Sequence, residues 1–164
     1  MNADASDIAF DTLDSAFNVR HARVDARQWR ALCEQVSASG GRLVALWGSD
    51  QTGEVAGLAV HAALATSSTQ TECAVITLPC TDAAYPDISD VFPAANRMQR
   101  ATHDLLGLVA TGAADKRKWL RHVAWREDEF PLRKATSADH VQVFDNKEKN
   151  IIYLRMQQKY QQIN

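Results

Sequence analysis

The sequence contains no long apolar run and few cysteines, and each absence excludes a class of protein. No apolar stretch approaches the roughly 20 residues that a membrane-spanning helix needs. The N-terminus, MNADASDIAFDTLDSAF, has acidic residues where a secretory signal has a basic region followed by an apolar one. The three scattered cysteines, Cys33, Cys73 and Cys80, argue against a disulfide framework and fit a reducing compartment. We therefore expect a cytoplasmic protein.

The chain also lacks an excess of one charge. Its 18 Lys and Arg residues and 20 Asp and Glu residues give a formal net charge of −2 at pH 7. This balance is not typical of a nucleic-acid-binding surface or of a polybasic membrane anchor. We predict no nucleic-acid partner, and membrane association only through other proteins.

Motifs for catalysis, phosphate binding and metal binding are missing too. The sequence has no Gly-x-Gly-x-x-Gly motif, phosphate loop or nucleophile elbow. Cys73 and Cys80 do not have the two-residue spacing of zinc or iron-sulfur motifs, so buried thiols are expected. His103 and Asp104 are neighbours on a predicted helix, where adjacent side chains point about 100° apart. His61 lies in an apolar strand and is expected to be a hydrogen-bonded sheet residue. The sequence therefore predicts no catalytic, cofactor-binding or metal-binding residue.

With 164 residues and 46% hydrophobic content, the chain is long enough to bury one core. Residues 1–24 show mixed polarity without a clear period, which predicts a loosely ordered N-terminal lead. Residues 25–135 carry the periodic patterns of a domain. Residues 136–164 predict a C-terminal helical tail of unknown origin, capped by Asp145.

The domain pattern predicts an α+β fold. Apolar residues at helical spacing follow Asp25, a candidate N-cap, and Gly40 and Gly41 end this helix. Three strand candidates follow, at 42–48, 54–65 and 71–78, and the polar turn 49–53 favours a hairpin between the first two. We expect a three- to four-stranded, mainly antiparallel sheet backed by helices.

A second helix follows an irregular loop at 79–89. Ser89 or Asp90 is its candidate N-cap, Pro93 suits its first turn, and Gly107 ends it. Arg100 and Asp104 stand four residues apart on this helix and predict an ion pair on one face.

The helix is followed by a polar turn and a basic-aromatic segment. The helix carries QRATHDLLG (99–107), the turn is GAADKR (112–117), and the segment KWLRHVAW (118–125) precedes the close FPLRK (130–134). This order resembles the family of the complex I 30 kDa subunit, which is the C subunit of NADH-quinone oxidoreductase. The Trp-Leu-Arg-His run is most similar to the related domain of membrane-bound group 4 nickel-iron hydrogenases of the hydrogenase-4 and formate hydrogenlyase type. The resemblance spans roughly 43–134, and two acidic positions of the family pattern are Gln99 and Ala101 here.

This resemblance implies a structural subunit of a membrane-associated NADH-quinone oxidoreductase or hydrogenase-like electron-transfer complex. Its partners would be a large catalytic subunit and iron-sulfur subunits, at the cytoplasmic side of the inner membrane. Iron-sulfur clusters, and nickel-iron or quinone, would belong to those partners. We expect nine residues to form the partner interface: Arg97, Arg100, Asp104, Arg117, Trp119, Arg121, Trp125, Arg133 and Lys134.

Two other classes of function remain open from the residues. The chain could be a stand-alone adaptor or homo-oligomer that has kept the fold and left the complex, since both flanking acids are absent at Gln99 and Ala101. A small independent enzyme is less favoured, because no cluster of convergent polar groups is evident. Aromatic and basic residues of the 118–134 stretch could also stack nucleic-acid bases, but the acids Glu127, Asp128 and Glu129 interrupt it.

Overall fold

A computed structural model of the chain describes residues 8–14, 18–52, 57–65, 72–121 and 125–134. The predicted helical tail at 136–164 lies outside the described residues. The elements are β1 (Asp11–Leu13), β2 (Asn18–Arg23), α1 (Ala26–Ala38), β3 (Arg42–Gln51), β4 (Gly57–Ala65), β5 (Glu72–Pro79), β6 (Ala84–Pro86), α2 (Ala95–Leu106) and β7 (Val109–Thr111).

The main sheet has five strands in the order β1-β2-β5-β4-β3. The pairs β1–β2, β4–β5 and β3–β4 are antiparallel, and β2–β5 is parallel. Strands β6 and β7 form a separate parallel pair on either side of α2 in the sequence. The predicted α+β fold with a mainly antiparallel sheet is confirmed, although the sheet has five strands rather than three or four.

The N-terminal region differs from its prediction. Strands β1 and β2 both lie within residues 1–24, so the expectation of a loosely ordered lead is wrong for these strands. Ala22 is only 1% exposed, and the Val24 N–H donates to the Thr77 carbonyl at 2.9 Å. Besides β1, β2 pairs with β5, which lies far along the chain, so its place inside the sheet could not be predicted from the local sequence.

Helix α1 begins as the sequence predicts. The Asp25 carboxylate accepts hydrogen bonds from the N–H groups of Arg27 and Gln28, both at 2.8 Å. The Gln28 side chain in turn accepts from the Asp25 N–H at 3.0 Å, which completes a capping box. The helix ends at Ala38, and Gly40 follows in the left-handed region with φ 78°.

Helix α2 ends as predicted but begins differently. Its N-cap is Ala94, which provides no side-chain cap bond. The predicted caps Ser89 and Asp90 have other partners: Ser89 bonds the Asp87 carboxylate, and Asp90 pairs with Arg30 at 2.5 Å. Gly107 ends the helix in the left-handed conformation, with φ 71°.

The core joins the sheet to both helices, and Trp29 of α1 and Ile76 of β5 are fully buried in it. Helix α2 comes close to β3 because Gly48 has no side chain. A Cβ at Gly48 would meet Leu106 Cδ1 at 2.6 Å and Leu108 Cδ1 at 2.8 Å. A side chain at position 48 would therefore force these leucine side chains to move.

A polar ladder crosses four strands of the sheet. The His61 ring bonds Ser49 Oγ at 2.8 Å and Thr77 Oγ1 at 2.9 Å, and Thr77 Oγ1 also meets His21 Nε2 at 2.9 Å. Trp47 stacks on His61 with 5.2 Å between ring centroids. The prediction that His61 is a hydrogen-bonded sheet residue is confirmed, and burial, together with the charge of His21, lowers its pKa.

Candidate partner-binding surface

The basic-aromatic segment, taken from here on together with its FPLRK close as 118–134, is attached to α2 by the Asp104 carboxylate. Asp104 is 1% exposed, and its Oδ2 accepts hydrogen bonds from three consecutive backbone N–H groups, those of Trp119, Leu120 and Arg121, at 2.7, 2.6 and 3.0 Å. We call this contact the Asp104 bridge. It joins a helix to a chain segment that follows 15 to 17 residues later.

The Asp104 bridge also determines the charge state of its carboxyl group. Burial by itself favours the neutral acid, but the N–H groups of Arg121, Leu120 and Trp119 outweigh it, and the pKa of Asp104 lies below its ordinary value. An ionised acceptor forms stronger hydrogen bonds than a neutral one, so the bridge is at full strength near neutral pH.

Two arginines hold the end of the segment through backbone carbonyls. The Arg121 guanidinium donates to the Glu127 carbonyl at 2.5 Å and to the Glu129 carbonyl. Arg133 Nε donates to the Leu106 carbonyl at 2.7 Å, at the C-terminus of α2. Both guanidiniums lie over the Phe130 ring, 5.1 and 4.6 Å from its centroid. Arg121 and Arg133 therefore stabilise the segment from within.

Lys134 attaches the segment to the sheet. Its N–H donates to Asp50 Oδ2 at 2.8 Å, and its ammonium group donates to the Thr52 carbonyl at 3.1 Å. Hydrogen bonds from Thr52 and then from the Lys134 N–H lower the pKa of Asp50. These contacts lie beside the C-terminal end of β3.

A second set of contacts forms the exposed side of this region. Arg100 Nη1 donates to Asp115 Oδ2 at 3.0 Å, and Arg100 Nε donates to the Arg117 carbonyl at 2.7 Å. Arg117 also pairs with Asp115, at 2.7 Å, and this bond, with the nearby Arg100, holds the pKa of Asp115 well below its usual range. Trp119 lies beside these groups and is 41% exposed.

The predicted ion pair between Arg100 and Asp104 is absent, because each group has another partner: Arg100 pairs with Asp115, and Asp104 forms its bridge. Asp104 and Arg121 are 1% and 8% exposed, which corrects the expectation that they face a partner directly. The other seven residues of the predicted interface keep some exposure. Arg97, Arg117, Trp119 and Lys134 are exposed, while Arg100, Trp125 and Arg133 are partly buried.

Gln99, where the family pattern has an acid, is a buried residue in the structure. Its side chain is 3% exposed, donates to Asp87 Oδ1 at 2.6 Å, and accepts from the Ile88 N–H at 3.1 Å. An acid at position 99 would place a second carboxylate beside Asp87. The absence of an acid at this position therefore removes no charge from the exposed surface.

The predicted interface included neither Asp50 nor Asp115. Asp115 is followed in the sequence by Lys116, Arg117 and Lys118, which was a usable signal for a local ion pair. Asp50 gave none, since its contact with Lys134 joins positions 84 residues apart.

The thiols behave largely as predicted. Cys33 and Cys80 are buried, and burial raises the pKa of Cys33 to about 12 and that of Cys80 to about 11. Cys73 is partly exposed. Among the residues that the structure describes, no three His, Cys, Asp or Glu side chains come together as a metal site. In the same part of the chain, no helix combines the length and the apolar character needed to cross a membrane.

Comparisons with known proteins assign this fold to a family. Residues 22–142 match the family model described as "Respiratory-chain NADH dehydrogenase, 30 Kd subunit". The C subunit of NADH-quinone oxidoreductase from Ruegeria pomeroyi is 35% identical over 86 residues, and that from Rhodobacter capsulatus is 32% identical over 85 residues. Each alignment covers 49% of this chain and 42% of the relative, so the matched part spans less than half of those proteins.

Two solved structures share the fold. A trypsin-resistant fragment of Nqo5 superposes with a TM-score of 0.56 at 18% identity, covering 65% of this chain and 89% of the fragment. A chain of the membrane-bound sulfane sulfur reductase, an archaeal respiratory membrane complex, gives a TM-score of 0.61 at 17% identity, covering 85% of this chain and 87% of that one. The predicted family is confirmed. The predicted closeness to group 4 hydrogenases stays a prediction.

Proposed function

Since the chain belongs to the family of the respiratory-chain NADH dehydrogenase 30 kDa subunit, we propose that it is a non-catalytic structural subunit of a membrane-associated electron-transfer complex. The complex is an NADH-quinone oxidoreductase or a related group 4 hydrogenase-like assembly. In this proposal the chain braces the large catalytic subunit and the iron-sulfur subunits, at the cytoplasmic side of the inner membrane. The clusters, and the nickel-iron centre or quinone, belong to those partners.

The observation that carries the proposal is the extent of the family match. It runs over residues 22–142 and so includes both helices and the whole basic-aromatic segment. The segment is held to α2 and β3 at several points, by the Asp104 bridge, by Arg133 and by Lys134. Such a preorganised surface loses little conformational freedom on binding, which favours a stable assembly.

The exposed residues of this surface have the composition of an interface. Trp119 is 41% exposed and lies beside the guanidiniums of Arg97 and Arg100. Tryptophan and arginine are the residue types most enriched among interface hot spots. We propose Arg97, Arg100, Arg117, Trp119, Trp125, Arg133 and Lys134 as the interface, with Asp104 and Arg121 holding it in place.

The test is affinity purification of the tagged full chain from native membranes, followed by mass spectrometry. We expect the large catalytic subunit and iron-sulfur subunits to co-purify, and their identity decides between a quinone oxidoreductase and a hydrogenase. Trp119→Ala should lower the recovered large subunit roughly tenfold, as for an interface hot spot. Trp47→Ala is the matched control, since Trp47 is also 41% exposed but lies on β3 and stacks on His61.

Recovery of the chain alone, or only as a homo-oligomer, would refute the proposal and favour a stand-alone adaptor. An equal effect of the two tryptophan substitutions would argue that the surface around Trp119 is not the interface.

A further inference from the structure

An open cleft of about 1150 Å³ lies between the start of α2 and the turn at 115–119. Pro93, Ala94 and Met98 line it from the helix side, and Trp119 lines it from the turn. Its basic lining residues are Arg97, Arg100, Arg117 and Lys118, and Asp115 is the one acid among its lining residues. The cleft is thus locally cationic in a chain whose formal net charge is −2.

The basic groups of the cleft differ in how they are neutralised. Arg100 and Arg117 both pair with Asp115, and Lys118 pairs with Glu127. Arg97 has no carboxylate within ion-pair distance among the described residues, and its observed contact is the Trp119 ring, 5.0 Å from its guanidinium carbon. Arg97 is exposed and lies at the same ring as Arg100, whose guanidinium carbon is 5.1 Å from the centroid.

This arrangement selects a ligand with two features. A carboxylate would neutralise Arg97 by a bidentate pair, which the planar guanidinium favours. The apolar surface of Trp119, Pro93 and Met98 would cover a hydrocarbon side chain next to that carboxylate. A nucleic acid or a lipid surface needs an extended basic face. Here Asp115 and the neighbouring acids Glu127 and Asp128 interrupt the basic groups.

We propose that this cleft binds an acidic segment of a protein partner, with a carboxylate on Arg97 and an adjacent apolar side chain on the Trp119 ring. The proposal rests on the proposed function for the identity of that partner, a subunit of the same complex. The binding chemistry rests on the cleft alone and can be tested without the complex.

The experiment uses the purified full chain and a fluorescein-labelled eight-residue peptide of alternating Glu and Leu. A matched peptide of alternating Lys and Leu has the same apolar content and the opposite charge. We expect binding of the Glu-Leu peptide, measured by fluorescence anisotropy, and at least about tenfold weaker binding of the Lys-Leu peptide.

Arg97→Glu should weaken binding of the Glu-Leu peptide by roughly tenfold or more, since it replaces attraction by repulsion at a central contact. Arg42→Glu makes the same change in charge at the exposed start of β3 and should alter binding less than about twofold, as for a remote surface charge. Trp119→Ala should weaken binding far more than Trp47→Ala. Circular dichroism and urea unfolding of each variant show whether it is folded.

Three results would overturn the cleft proposal: equal binding of the two peptides, equal effects of Arg97→Glu and Arg42→Glu, or tighter binding of phosphatidylglycerol vesicles that depends on Arg97. None of these results concerns co-purification of the complex. If the subunits co-purify while the peptide does not bind, the proposed function stands and the cleft assignment fails.

Discussion

At the scale of single residues, one buried carboxylate organises the region. Helical spacing predicts an ion pair between Asp104 and Arg100. In the structure, however, Asp104 accepts hydrogen bonds from three backbone N–H groups of the basic-aromatic segment. Its other oxygen, Oδ1, is buried and lies 3.6 Å from His103 Nδ1. The position of Trp119 on the exposed surface therefore depends on a side chain that is itself hidden from solvent.

Asp104→Asn should lower the free energy of unfolding by about 2 kcal/mol, because three hydrogen bonds lose an ionised acceptor. The pKa of Asp104 is depressed in the folded chain, so its contribution is full above the ordinary carboxyl pKa and is lost as pH falls through the lower folded value. Urea unfolding at pH 7, 5 and 3 measures both effects.

The control for this prediction is Asp82→Asn, which changes an exposed carboxylate. It should shift the unfolding free energy by less than about 0.5 kcal/mol. If the wild-type chain and Asp104→Asn lose the same stability between pH 5 and pH 3, the Asp104 bridge does not depend on the charge of the carboxylate.

Some residue roles were predictable and others were not. His61 was assigned correctly because a lone histidine in an apolar strand needs partners on the neighbouring strands. The burial of Asp104 and Gln99 was not predicted, because it comes from chain segments distant in sequence. Helical spacing predicts which residues share a face, but it does not predict what covers that face.

At the scale of secondary-structure elements, both helices are followed by a glycine in the left-handed conformation, and their surroundings differ. A Cβ at Gly40, after α1, would meet no atom within 4 Å. A Cβ at Gly107, after α2, would meet Phe130 Cζ at 2.7 Å and Arg133 Nη2 at 2.8 Å. The end of α2 is therefore also the contact site for Phe130 and Arg133.

Gly40→Ala should cost about 1 kcal/mol of stability, the conformational penalty of a left-handed residue with a side chain. Gly107→Ala should cost about 1 to 3 kcal/mol more, because the methyl group displaces Phe130 and Arg133. Thermal and urea unfolding of the two variants give the difference. Equal losses would mean that Phe130 and Arg133 do not pack tightly against α2.

Element boundaries were predictable where the signal is local. The Asp25 N-cap, the glycine stop after α1 and the hairpin of β3 and β4 all depend on neighbouring residues, and each was predicted. The start of α2 was placed wrongly because Asp90, a good N-cap by residue type, is bound to Arg30 of the other helix. A tertiary contact thus replaced the local one.

At the scale of the whole molecule, the parallel pairing of β2 with β5 makes the N-terminal region part of the sheet. Six residue pairs join these strands, from Asn18 with Glu72 to Arg23 with Thr77. Ala22 faces the core and Arg23 is exposed. The sequence of β2 did not predict a strand of the sheet, because its residues are mostly polar and its single fully buried side chain is an alanine.

Ala22→Glu should therefore destabilise the chain by more than about 3 kcal/mol, since it places an unpaired carboxylate in the core. Arg23→Glu introduces the same side chain one position later, on the exposed face, and should change stability by less than about 0.5 kcal/mol. Limited proteolysis and urea unfolding compare the two. Similar stability of both variants would show that β2 does not belong to the folded sheet.

The β2–β5 ladder has a consequence for synthesis on the ribosome. Asn18 and Glu72 are 54 residues apart, so β2 leaves the exit tunnel well before β5 is synthesised. At roughly 5 to 20 residues per second, several seconds pass between the two. During that interval β2 can pair with β1 but its other edge has no partner, and the hairpin of β3 and β4 can form first because its loop is short. The pairing of β2 with β5 is therefore expected to form late.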